Sequence, residues 1–297
     1  MTKNMNYGVE VFDVAGKNFT DTAISVLADG FSFAEGPVWH PGGYLLFSDT
    51  PANKIYRVFI DGRFQVFLEN SGLNNGDMDK LSDQVGSNGL AFTADKQLLI
   101  CQHGNHAVSV LNEQKQLGIL AGTFNGRKFN SPNDIITRSD GIIYFTDPPY
   151  GLKDQVLAPH EFQPLAGVYQ YTAGAVKLVA TDLRYPNGLA FSPGEEYLYV
   201  SSAHSDEEKL LRYEVMPDGS LSFNQIVIEE GADGMVTDAR GLLYLATEKG
   251  ILIISGEGEK LALINLPEWP SNMAWCAEDL KILFVTARKS IYRLQFL

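Results

Sequence analysis

The five residues Asn187-Gly188-Leu189-Ala190-Phe191 repeat, letter for letter, Asn88-Gly89-Leu90-Ala91-Phe92. A looser copy, Asn133-Asp134-Ile135-Ile136, lies between them. Identical short stretches far apart in one chain signal an internal repeat, and a repeat defines the architecture before any single residue does. The grammar of the unit is a polar residue, a short apolar strand, a turn rich in Asp, Gly and Pro, a β-branched or aromatic strand, and two further strands. The same grammar starts at Glu35-Gly36-Pro37-Val38, Asp233-Gly234-Met235-Val236 and Asn272-Met273-Ala274-Trp275. Six anchors result: Glu35, Asn88, Asn133, Asn187, Asp233 and Asn272, spaced by 53, 45, 54, 46 and 39 residues.

Each anchor leads through a turn, such as Ser192-Pro193-Gly194 or, in the last unit, Glu278-Asp279, to a second strand such as Tyr197-Leu198-Tyr199-Val200. Third and fourth strands follow, as at 54–58 and 65–68, and helical periodicity is scarce throughout. The sixth unit reaches the end of the chain without a fourth strand. Ile24-Ser25-Val26-Leu27-Ala28, ahead of the first anchor, is available to supply it. Closing the ring this way removes the last exposed sheet edges. The expectation is an all-β fold: a six-bladed β-propeller of four-stranded blades spanning 23–297, its last blade closed by an N-terminal strand. Residues 1–22 form an N-terminal extension.

Composition narrows the function classes. The 297 residues are 45% hydrophobic, with 17 Phe and 13 Tyr, enough for a substantial core. A formal net charge of −13 argues against a nucleic-acid or anionic-membrane partner, because phosphate contacts need a basic face. No apolar run approaches the ~20 residues that span a bilayer, and the first thirty residues hold no signal-like apolar region. A cytoplasmic location is expected, or the periplasm if a signal segment has been removed. Cys101 and Cys276 sit in strand-like apolar surroundings and read as buried free thiols. Two intervals exceed what the blades need. One is 72–86, with Asp77, Asp79 and Asp83. The other is 148–165, which reads as a lid over the third blade.

In a propeller the innermost strand of each blade faces the central channel, so the anchors converge there, and all six carry oxygen. Two carboxylates with several amide oxygens make a hard cage that suits Ca²⁺ first, then Mg²⁺ or Mn²⁺. Zn²⁺ ordinarily seeks His or Cys. The bland alternative for each Asn or Asp is a local Asx-turn with its own backbone. His103, at the end of the second strand of blade two, and Tyr150, in the lid segment, are candidate substrate contacts. Either is also explained by packing.

Glu35-Gly36-Pro37, Ser131-Pro132-Asn133-Asp134, Pro186-Asn187-Gly188-Leu189-Ala190-Phe191-Ser192-Pro193 and Asp233-Gly234-Met235, in this order, resemble the gluconolactonase/regucalcin (senescence marker protein) family. The Ser-Pro-Asn-Asp form looks like its bacterial gluconolactonase branch; the animal branch carries an Arg where this chain has Ser131. The resemblance implies a six-bladed propeller that opens lactones with one divalent cation in the channel, Ca²⁺ foremost and Mg²⁺, Mn²⁺ or Zn²⁺ as alternatives. It implies Glu35, Asn187 and Asp233 as metal ligands. Asn133 is then a fourth ligand or a substrate-orienting group, Asp233 also the general base, and Asn88 and Asn272 channel-lining only. Asp134 is a candidate for orienting Asn133. The expected partner is a small lactone, most simply a sugar lactone such as glucono-1,5-lactone, with the protein a monomer or homodimer. The rival readings are an organophosphate or aryl-ester hydrolase on the same fold, and a non-catalytic binding propeller.

Overall fold

A computed structural model describes residues 8–74, 78–112, 114, 116–158, 160–277 and 280–297. Asp77 and the Glu278-Asp279 turn lie outside the described residues. Six antiparallel sheets stand in a ring. Blade one comprises Ala34–His40, Tyr44–Asp49, Lys54–Phe59 and Phe64–Glu69. Blade two begins at Ser87–Phe92, blade three at Ile135–Thr137, blade four at Leu189–Phe191, blade five at Met235–Thr237 and blade six at Pro270–Trp275. These six innermost strands touch one another in succession, and blade six touches blade one, which closes the circle.

The alternation of the strands explains where the core lies. Successive side chains point to opposite faces of a blade, and both faces of every blade are covered by its neighbours. The strands therefore read as nearly continuous apolar runs such as Ile282–Ala287, buried along its whole length. The apolar side chains separate into six clusters, one between each pair of adjacent blades. Leu46, Ile55, Leu90 and Ile100 fill the gap between blades one and two. Leu283, Val285, Tyr244 and Ile253 fill the gap between blades five and six. Cys101 and Cys276 are buried inside two of these clusters.

Ala23–Asp29 pairs antiparallel with Ser290–Gln295 and becomes the outer strand of blade six, closing the ring as the unit count requires. The residues before it do more than extend the chain. Gly8–Val11 pairs with Lys260–Asn265 and adds a fifth strand to blade five. A short 3₁₀ turn, Val14–Phe19, follows and drops Phe19 into the core between blades five and six. Two chain segments thus cover the outer edges of the adjacent blades where the ring is joined.

The glycine that follows four of the anchors has a packing role. Gly89 N–H donates to the Asn133 carbonyl at 2.7 Å, and a Cβ on Gly89 would stand 2.5 Å from that oxygen. A Cβ on Gly188 would stand 2.6 Å from the Asp233 carbonyl. Such contacts are too short for any side chain, so glycine lets the backbones of neighbouring innermost strands abut. The channel is thereby narrow enough at this level for the anchors to converge.

The two long loops fold against each other above the channel. Leu81 and Leu152 form a bridge, Ser82 N–H donates to the Gly151 carbonyl at 3.0 Å, and Lys80 pairs with Glu161 at 2.7 Å. His106 ties the second loop down: its Nδ1 lies 2.5 Å from the Asn130 carbonyl and its ring packs on Phe162 at 4.4 Å. Burial pushes this imidazole down to about 4, with Lys128 adding to the effect, so at neutral pH it is uncharged and Nδ1–H donates. Its folded value is depressed below the ordinary 6.5. The stability it contributes is therefore present above pH 6.5 and is lost as pH falls toward 4, to the extent of about 3 kcal/mol. His106→Gln should be less stable than wild type at pH 7, and the gap should shrink by pH 4.5. Thermal melts at the two pH values test this, since other titrating groups cancel in the comparison. A gap that stays constant would refute the neutral imidazole.

Candidate functional site

A cavity of about 440 Å³ opens at one end of the channel, within the size range of small-molecule sites. Five of the six anchors line it: Glu35, Asn88, Asn133, Asn187 and Asp233. Their convergence follows from a shared backbone register. Asn133 N–H donates to the Thr146 carbonyl at 2.8 Å, Asn187 N–H to Ser201 at 2.7 Å and Asp233 N–H to Ala246 at 2.9 Å. These three anchors therefore each sit two residues before their blade's innermost strand, and their side chains line the cavity.

Asn272 does not join them. It pairs with Thr286, and its N–H takes the Thr286 hydroxyl at 3.0 Å, just as Asp134 N–H takes the Thr146 hydroxyl at 3.0 Å. Asn272 is thus the counterpart of Asp134, and Ser271 is the blade-six residue in anchor register. A slip of one residue moves a strand's side chains to the other face. Asn272 accordingly lines the opposite end of the channel with Asp134, and its own Oδ1 accepts from Met273 N–H at 2.8 Å. The Ser271 hydroxyl is spent on the Ala34 carbonyl at 2.6 Å.

Two carboxylates, the buried Glu35 and the half-buried Asp233, line the cavity close enough for the charge of one to act on the other. Glu35 is held well above the usual carboxylate range, first by burial and then by the charge of Asp233. Its one hydrogen-bond donor among the described residues is Gly36 N–H at 3.1 Å. Asp233 is raised to about 6 by burial, against the lowering effects of the Asn187 hydrogen bond and Arg288. Removing such groups from water raises the carboxyl pKa unless a cation or enough donors compensate.

The amides are oriented by their neighbours. Asn187 Nδ2 donates to Asp233 Oδ1 at 2.8 Å. Asn133 Nδ2 lies 3.5 Å from His103 Nε2. His103 Nδ1 is 3.0 Å from the Gln84 carbonyl, and burial lowers the imidazole to about 4. The ring is therefore neutral, Nδ1–H donates, and Nε2 presents a lone pair to the Asn133 amide. Both amides are thus held through NH₂ and keep Oδ1 for a ligand. Two carboxylates and two oriented amide oxygens fit a hard divalent cation. The described residues contain no group of three or more His, Cys, Asp or Glu side chains that could hold a metal, so amide oxygens would have to complete any cation site here.

The remaining candidates divide. Tyr150 lines the cavity, close to both Asn187 and Asp233, and burial raises its hydroxyl above the ordinary value. Asn88 lines it too, as expected. His103 does not line it: the ring is fully buried behind Asn133, with Gly151 packed on its Cβ, and it meets the Asn133 amide instead of the cavity. Asp134 does not orient Asn133. Its carboxylate accepts from Ile135 N–H at 3.0 Å and Leu189 N–H at 2.9 Å, and burial raises it to about 7. Ser131 is occupied by the lid, donating to the Pro148 carbonyl at 2.5 Å and accepting from Gly151 N–H at 2.9 Å.

Several cavity residues carried no motif in the sequence. Gln84 comes from the acidic loop, and His204 lies flat on Tyr185 with ring centroids 3.7 Å apart. Trp269 and Arg288 come from the loops of blade six. Their signal was available only as position, each lying just outside a strand at the same end of the ring as the anchors.

The family model described as SMP-30/Gluconolactonase/LRE-like region matches residues 33–289. A gluconolactonase of Zymomonas mobilis is 31% identical over 289 residues, covering 92% of this chain and 81% of that protein. Among solved structures, a gluconolactonase from Xanthomonas campestris superposes with a TM-score of 0.84 at 27% identity, covering 98% of this chain and 95% of the other. A calcium-binding regucalcin from Agrobacterium tumefaciens superposes with a TM-score of 0.74 at 19% identity, covering 92% and 93%, and shares the fold. No helix among the described residues is long and apolar enough to cross a membrane.

Proposed function

The chain belongs to the SMP-30/gluconolactonase/LRE-like family, and on that premise we propose that it is a divalent-metal-dependent lactonase acting on a sugar lactone such as glucono-1,5-lactone. The observation that carries this reading is the paired arrangement of the channel mouth. Two carboxylates, one buried and one half-buried, stand beside two amides whose own hydrogen bonds leave their oxygens for a ligand. Glu35, Asn133, Asn187 and Asp233 would hold the ion, Ca²⁺ first among the candidates. A cation there would polarise the lactone carbonyl and lower the cost of negative charge on its oxygen.

The chain's own groups supply the rest. Asp233 has one carboxylate oxygen fixed by Asn187 and the other unassigned, so it can take the proton of an attacking water. Its pKa of about 6 places it nearer neutrality than an exposed aspartate. Water oxygen bonds to the carbonyl carbon, the ring C–O bond breaks, and the proton passes to the departing ring oxygen, which becomes the hydroxyl of the product. The acid formed ionises and releases one proton to solvent. Asn133, fixed by His103, orients the substrate, and Tyr150 with Gln84 walls the cavity on the lid side.

Proton release at constant pH measures the reaction directly. A panel of glucono-1,5-lactone, simpler γ- and δ-lactones, an aryl ester and a phosphotriester should show sugar lactones turned over at least tenfold faster than the last two. Chelation should abolish the reaction and added Ca²⁺ restore it. Faster cleavage of the ester or phosphotriester would overturn the lactonase assignment in favour of another hydrolase. No turnover of any substrate, with Ca²⁺ still bound, would leave a binding propeller.

A further inference from the structure

Arg288 lines the cavity beside the carboxylate pair, and its charge lowers the pKa of both Glu35 and Asp233. It lies in the turn between Ile282–Ala287 and Ser290–Gln295. Its φ is +47°, a conformation that favours glycine or asparagine, so an arginine there carries a local backbone cost. Its carbonyl accepts from Ala34 N–H at 2.8 Å, which fixes the turn next to Glu35. The guanidinium is sandwiched by aromatic rings, 4.8 Å from the centroid of Phe33 and 5.1 Å from that of Trp269. Among the described residues it donates no hydrogen bond and makes no ion pair, although Glu35 and Asp233 are among the carboxylates that line the same cavity. A planar cation is therefore held rigid, with five N–H donors unspent, at the wall of a site built to bind oxygen.

Resting on the lactonase reading, we propose that Arg288 binds the carboxylate generated by ring opening and the carbonyl oxygen that becomes part of it. A divalent cation would be neutralised by Glu35 and Asp233; of the two cavity cations, Arg288 and Lys249, Arg288 is the one whose charge reaches both carboxylates, and the reaction creates one negative charge there. The neutral lactone offers little to a guanidinium fork. The hydroxy-acid anion offers two oxygens in a plane, the acceptor geometry that guanidinium matches. Arg288 thus acts chiefly after the lactone has bound, which makes it a rate and product-binding residue more than a substrate-affinity residue.

The test uses the calcium-loaded full chain with Arg288→Gln and Arg288→Lys. Calorimetry with sodium gluconate should show binding at least tenfold weaker in the Gln variant and partly recovered in the Lys variant. For glucono-1,5-lactone, kcat should fall at least tenfold while KM changes less than threefold. Calcium affinity should hold or rise, because a repelling charge has been removed; a folding defect would lower it. Gluconate binding that is absent in wild type, or equal in wild type and the Gln variant, overturns the proposal. So does a joint loss of gluconate and calcium affinity in both variants. A wild type that opens no lactone yet loses gluconate affinity with Arg288→Gln would refute the lactonase reading and leave the anion site standing.

Discussion

Asp233→Asn is expected to lower kcat/KM for glucono-1,5-lactone by about three orders of magnitude, the middle to upper range for removal of a general base. The exchange keeps the shape of the side chain and one oxygen, so Asn187 retains an acceptor at the position now 2.8 Å away, and the fold should survive. What disappears is the group that accepts the water proton, together with one negative charge toward the cation. The wild type should also show an acid limb. Asp233 must be ionised to act as a base; burial raises it to about 6 in the metal-free site and a bound cation would lower it, so kcat/KM should fall about tenfold per pH unit below a pKa that lies under 6 and level off above it. The limb should be missing from whatever activity the variant keeps. Stopped-flow proton release between pH 5 and 8 reads both effects. A variant with more than a tenth of wild-type activity would remove Asp233 from the proton-transfer step.

The ring was legible in the chain because a propeller writes the same packing problem six times. Asn88-Gly89 and Asn187-Gly188 recur because the innermost backbones touch, and only glycine fits the touching position. Letters therefore tracked geometry closely wherever glycine followed the anchor. Blade six broke the rule. Ser271-Asn272 carries no glycine, and Asn272 was matched by residue type to a position that register assigns to Ser271. Composition along a strand does not report a one-residue slip; the pairing partner does. Glu35, Asn133, Asn187 and Asp233 share one cavity because motif and register agree in blades one, three, four and five.

What escaped the sequence escaped for two reasons. Gly8–Val11 is too short to show a period, and its pairing with Lys260–Asn265 depends on a contact made across most of the chain length. Arg288 and Trp269 belong to no repeated pattern, because the loops that crown the blades differ from unit to unit while the strands do not. His103 was visible as a residue but its role was not. Whether a histidine contacts substrate or turns an amide depends on which side of Asn133 it stands. That side is decided by Gly151 and the Gln84 carbonyl, brought from the two long loops.

The cation reading makes a prediction in which one substitution should move two quantities in opposite directions. Glu35 is buried with Asp233 beside it and a single backbone donor, so its folded pKa lies well above 4.5. A carboxyl raised in this way contributes stability that is complete below the unfolded pKa and is lost as pH rises through the folded one. At pH 8 the metal-free wild type must keep this carboxylate charged or bind a proton, and either course destabilises the fold. Glu35→Gln removes that penalty at nearly constant shape, so the metal-free variant should melt at a higher temperature than metal-free wild type at pH 8. The order should reverse once calcium is added. Wild type gains stability by binding, about 2.7 kcal/mol at a hundredfold excess of Ca²⁺ over its dissociation constant, whereas the variant has lost a charged ligand and should gain little. Melting curves of both proteins in chelator and in millimolar Ca²⁺ decide the matter. A variant that is both less stable without metal and equally stabilised by calcium would mean that Glu35 is a structural acid and that the ion, if bound, sits elsewhere. Crossing curves would place the ion against Glu35 without any reference to catalysis, since neither measurement involves a substrate.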